Sequence, residues 1–310
     1  DPLARNILRI EAIKRGDWQT ALSTLPLPAG SRLDSIIETI SYAAILTGDG
    51  QIEEAFSRIE EGFDAIGFLP LGNYARGMIH STQGRDEDAA DSFAAFINQD
   101  PFQYPRMAQL AAEALERSGD ADNAALLYDA LLSTGARSAG EAGLARLKSG
   151  EPIPDALSIT PLDIYTELLF VIARLLADQD SPQLAYRYAQ EIGYLLTPQS
   201  SLYPGYTEVI ASSLLDLERF EDAEKFYADL EQVEEFRLAA LLGQVQALSD
   251  QQRYQDALEV LSKAEVLLGG APGYAGYQVG HYPDLRLALD LGVGQLSSTD
   301  ATEPEIGRAH

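Results

Sequence analysis

The feature that most restricts this chain is a short phrase that returns at a nearly fixed interval. It is a turn with Gly or a polar residue, often an aromatic or apolar residue, two polar residues, then Ala. Copies occupy 16–21, 50–55, 84–89 and 119–124, then 219–223 and 253–257, with a weaker one at 181–185. The closing alanines are Ala21, Ala55, Ala89, Ala124, Ala185, Ala223 and Ala257, spaced 34, 34, 35, 61, 38 and 34 residues apart. Such a period marks stacked supersecondary units, none of which can bury its apolar face alone.

The 34-residue step and its surroundings resemble the tetratricopeptide repeat (TPR) family, over roughly residues 3–133 and 161–268. The family's small residue, twelve positions before the motif alanine, appears as Ala43, Gly77, Ala112, Ala173 and Ala211. A side chain this small lets the paired helix approach the backbone. The aromatic four residues after the alanine is present as Phe93, Tyr128 and Tyr227, and the helix-ending proline as Pro101. Arg9 and Val245 depart from the pattern at the small position. The resemblance implies an all-α fold, a TPR-type helical-hairpin solenoid of about seven repeats in two arrays, with a C-terminal capping helix.

The long interval between Ala124 and Ala185 divides the chain. Residues 1–134 are expected to form a four-repeat array and 161–268 a three-repeat array. Between them, 135–160 reads as an irregular joint with one short helix around Glu141 to Lys148, because Pro152 and Pro154 cannot sit inside a helix. Thr160, Pro161 and Asp163 restart the helix as N-cap, first helical residue and capping-box acid. Residues 269–296 read as a loop rich in Gly and Tyr, followed by the capping helix near Asp284 to Leu291, and 297–310 as a flexible tail.

Composition narrows the function. With 48 acidic and 22 basic residues the net charge is −26, which speaks against nucleic acid and anionic lipid as partners. The absence of cysteine excludes disulfides, thiolate metal sites and cysteine nucleophiles. The longest apolar run, Leu168 to Leu176, is interrupted by Arg174 and is too short to cross a membrane. There are three histidines, and His80 falls at a core-facing helix position. No metalloprotease, nucleophile-elbow or phosphate-loop motif occurs, so no catalytic residue, metal or cofactor is expected. The carboxylates around 216–235 read as a solvated outer face.

The resemblance places the first helix of each repeat on an inner wall and so nominates groove residues. Ile37, Ile40, Leu71, Tyr74 and Met78 make an apolar stretch, and Arg106, Gln109 and Glu113 a charged one. Phe170, Arg174 and Glu208 extend it. The Lys, Asn and Arg set with which family co-chaperones grip a terminal carboxylate is missing, so an apolar helix or extended segment is the expected ligand. Tyr274, Tyr277 and Tyr282, outside any repeat, form a second candidate contact loop.

These residues lead to the expectation of a non-enzymatic scaffold for a protein or peptide partner that is not strongly acidic. The chain also looks like exported TPR proteins of Gram-negative envelopes, which implies a periplasmic or envelope-associated scaffold, with a cytoplasmic one as the alternative. A start at Asp1 fits a removed signal peptide or an arbitrary boundary, and a lipid anchor upstream would leave no trace. The alternative function is a permanent subunit of a larger complex, docked by its convex face or its C-terminal loop.

Overall fold

The computed structural model describes residues 2–27, 30–64, 67–97, 105–134, 136–154, 157–196, 200 and 203–270. Among them are fifteen α-helices and no strand. They form two compact units, Asp1–Leu217 and Glu218–His310. The first contains α1 (Pro2–Arg15), α2 (Trp18–Leu22), α3 (Arg32–Gly48), α4 (Ile52–Ile59, extended by a π-helical turn Glu60–Asp64), α5 (Leu69–Thr82) and α6 (Asp86–Ile97). It continues through α7 (Pro105–Ser118), α8 (Ala121–Leu131), α9 (Arg137–Ser149), α10 (Pro161–Asp178), α11 (Pro182–Leu195) and α12 (Tyr203–Asp216). The second holds α13 (Phe220–Leu230), a 3₁₀ turn Glu234–Phe236, α14 (Arg237–Asp250) and α15 (Tyr254–Gly270). Pro101, Tyr274, Tyr277, Tyr282, the expected capping helix and the tail lie outside the described residues.

Helices pair as hairpins, α1 with α2, α3 with α4, α5 with α6, α7 with α8, α10 with α11 and α14 with α15, and the repeated phrase forms their turns. The residue five positions before each motif alanine has a left-handed backbone in all seven copies. It is Gly16, Gly50, Gly84 and Gly119 in the first four, and Asp180, Glu218 and Gln252 in the last three. This is the conformation that ends an α-helix and reverses the chain, and it is easiest for glycine. The alanine then enters the next helix fully buried in the first six copies and nearly so at Ala257. The small positions also act by close approach, since a Cβ added to Gly77 would lie 2.6 Å from the ring of Phe93. Val245 departs from the pattern and packs with Ala257 and Leu261, while Gly243 on the same helix lets α14 approach α13, since its Cβ would meet the Tyr227 ring at 2.3 Å.

Two features differ from the sequence expectation. The short helix expected within 135–160 around Glu141 to Lys148 is longer, Arg137–Ser149, and it packs on α8 and α7. Gly143 allows this, as a Cβ there would touch the buried Tyr128 ring at 2.4 Å. Arg146 then forms a fork on Glu116, with Nε at 3.2 Å from Oε1 and Nη2 at 2.9 Å from Oε2, while the Tyr128 hydroxyl donates to Glu116 at 2.6 Å. The second difference is that the two compact units divide after Leu217, not at the joint. The physical reason lies in α10, which packs along α3 and α5 and makes the helices on both sides of the joint one body.

Candidate functional site

The inner face nominated from sequence is assembled by α3, α5, α7 and α10. Helix α10 starts with the expected capping box. Thr160 accepts from the Asp163 backbone N–H, and Asp163 accepts from the Thr160 N–H at 2.8 Å. From Ile164 to Ala173 only Phe170 is not buried. A helix that is apolar nearly all round belongs in an interior, and α10 accordingly has α3 and α5 on one side and α11 and α12 on others. Ile37, Ile40, Leu71, Tyr74 and Met78 are all buried within the chain, and the α3 and α5 helices that carry them pack on α10.

A polar core joins α5, α7 and α10. Tyr74 donates its hydroxyl to Glu167 Oε2 at 3.1 Å, and Arg106 donates Nε to Glu167 Oε1 at 2.8 Å. Burial, followed by the Glu167 charge, holds the Tyr74 phenol well above its ordinary value. Burial works against the Arg106 charge, but Glu167 and Glu113 outweigh it and keep the guanidinium protonated. One turn further along α7, Gln109 donates to Glu113 Oε1 at 2.8 Å. Burial raises the Glu113 carboxyl despite the nearby guanidinium of Arg106. Thus Arg106, Gln109 and Glu113 are brought together, and Tyr74 and Glu167 join them.

Phe170, Arg174 and Glu208 meet on a different contact, between α10 and α12. The Phe170 ring lies against Gly205, where a Cβ would come within 3.0 Å, and Arg174 Nη1 donates to Glu208 Oε2 at 3.0 Å. His80 is partly buried beside Phe56, with ring centroids 4.9 Å apart. Burial lowers its pKa, although Asp88 lies 3.8 Å from Nδ1 and pulls the other way. Asp222, in the acidic segment, pairs with Arg219 at 2.6 Å and Lys225 at 3.1 Å. Among the described residues no group of three His, Cys, Asp or Glu is arranged to hold a metal, and no helix is long and apolar enough to cross a membrane.

Sequence reasoning missed a second polar cluster. Tyr165 on α10 donates to Glu191 Oε1 on α11 at 2.5 Å, and the buried Arg9 on α1 bonds to both Asn6 and Tyr165. Burial, and then the Glu191 charge, raises the Tyr165 phenol. The signal was present in Arg9, the charged residue at a position where the family carries a small one. The long apolar run at Leu168–Leu176 was the corresponding signal for α10 as a central helix.

No family model and no curated protein matches the chain. Among solved structures, the TPR domain of P58(IPK) is 12% identical, covering 97% of this chain and 80% of that one, with a TM-score of 0.37. The TPR2AB domain of yeast Sti1 in its pHSP90 complex is 14% identical, covering 83% and 97%, with a TM-score of 0.33. A mutant of MamA is 14% identical over 68% and 97%, with a TM-score of 0.32. The fold rests on the chain's own helix pairs and turns, which make it an all-α array of TPR-type hairpins.

Proposed function

We propose that the protein is a non-enzymatic interaction scaffold whose protein partner docks on an outer surface of the hairpin array. The observation that carries this reading is α10, which fills the inner face of α3 and α5 where a bound segment would otherwise lie. A free groove would leave Ile37, Ile40, Leu71, Tyr74 and Met78 open to a ligand, whereas here they are core. Substituting Tyr74 or Met78 by Ala therefore removes core volume and acts on folding. The partner in this reading is not strongly acidic overall, because the chain carries −26 and like charges oppose association. The absence of cysteine is compatible with an oxidising compartment such as the periplasm, and an envelope assembly is the setting we infer.

The experiment is affinity capture with the full chain from the native source, with the bound protein identified by mass spectrometry and its affinity measured. Conservative inner-face variants that keep the polar core intact, Ile37→Val and Met78→Leu, are expected to bind that protein within about twofold of wild type. A tenfold loss at unchanged melting temperature returns the partner to the inner face. Failure to retain any specific protein removes the scaffold reading itself.

A further inference from the structure

The geometry points to a docking site on α1 and the C-terminal end of α11 for a protein segment whose apolar side chains are bordered by carboxylates. This inference rests on the outer-surface scaffold reading and gives it a place. Two apolar residues of α1 face solvent, Ile7 at 54% and Leu8 at 44% exposure, and Tyr194 on α11 is 45% exposed. Isolated exposed apolar residues are ordinary, but these three belong to one feature. Ile7, Glu11 and Lys14 share a stripe at helical spacing, and Leu8 lies on the adjoining row. Tyr194 is fixed against that stripe from both ends. Its hydroxyl donates to Glu11, the Lys14 ammonium lies 3.6 Å from its ring centroid, and Lys14 also donates to the Tyr194 carbonyl at 2.7 Å.

An exposed aromatic held by two neighbours loses little freedom when a partner covers it, which is the property of an interface anchor. The charge around it selects the occupant. Helix α1 carries three basic residues besides Arg9, namely Arg5, Lys14 and Arg15, against the single acid Glu11, in a chain of net −26. Arg5, Lys14, Arg15 and, on α11, Arg187 are exposed. Guanidinium groups beside an apolar anchor suit carboxylates flanking a buried side chain. The surface is small, which fits a segment better than a folded domain. An anionic bilayer is opposed by the acidity of the chain, and a two-fold contact with a second copy would set α1 against α1, with like charges facing.

The test uses a displayed library of random peptides about twelve residues long, selected against the full chain. Peptides with Asp or Glu flanking Leu, Ile or Phe are expected, weakening as NaCl is raised. Leu8→Asp and Lys14→Glu, both at exposed positions, should each reduce their affinity at least tenfold with unchanged circular dichroism. Tyr194→Ala should do the same, and provides a third check should either charged variant fold poorly. Selected peptides that bind all three variants as well as wild type overturn the site while leaving the scaffold reading intact, as does selection of no patch-dependent peptide. Wild-type binding to phosphatidylglycerol vesicles, or self-association by light scattering, that is lost in these variants overturns it in favour of lipid or a second copy.

Discussion

At the scale of single residues, the most informative position is the left-handed one five residues before each motif alanine. Four copies place glycine there and three do not, yet the backbone is the same. The sequence made the turn visible in the glycine copies. In the others it was visible only through the alanine that follows, because Asp180, Glu218 and Gln252 say nothing by residue type about a positive φ. A residue with a Cβ bears a cost of about 1 kcal/mol in this conformation. Gln252→Gly is accordingly expected to stabilise the protein by up to about 1 kcal/mol, the gain being reduced by the greater freedom of glycine in the unfolded chain. Gly84→Ala should lose about the same amount, since a Cβ there meets no atom within 4 Å and only the backbone conformation changes. Urea unfolding of the two variants checks both signs, and a neutral Gly84→Ala removes the argument from conformation.

At the scale of elements, α9 and α10 carry what the repeat pattern could not. Most helices were legible because the motif alanine, the small residue and the turn repeat in register. Helix α9 was legible only in part, because no motif alanine follows it at the usual distance. Its place is set by Gly143 against Tyr128 and by Arg146 against Glu116. The beginning of α10 was fully legible in Thr160, Pro161 and Asp163, but its destination was not. Period and spacing state how a helix pairs with its neighbours, and they are silent on a contact with α3 more than a hundred residues away. Ile37, Ile40, Leu71, Tyr74 and Met78 lie on α3 and α5, and their burial beside α10 depends on that long-range packing. Because α10 is a core element, its cap supports more than one helix end. Thr160→Ala should cost about 1 kcal/mol of global stability, with an unchanged denaturant slope. If only the amides at the start of α10 exchange faster while the urea midpoint stays fixed, the cap is a local feature.

At the scale of the first compact unit, α10 changes how the repeats should unfold. In an open repeat array each unit contacts only its neighbours, so the ends open at lower free energy than the middle. Here α3 and α5 pack on α10, and α1 packs on α11, so early and late helices share contacts. Native-state hydrogen exchange should therefore give α3, α5 and α10 the same opening free energy. A graded series, with α10 opening first and α3 retaining its protection, would show that the closing contacts are weak. The second unit has its own pairing of α13, α14 and α15, with Tyr227 against Gly243 at its centre.

The position of α10 also sets a timetable for synthesis. Helices α3 and α5 leave the ribosome about a hundred residues before their covering helix is complete. At the usual elongation rate this interval is roughly 5 to 20 s. Throughout it, the apolar inner face of the nascent chain has nothing of its own to lie against. A ribosome that pauses before Asp178 presents an adhesive intermediate, so the cell must either translate this stretch without interruption or shelter it until α10 arrives.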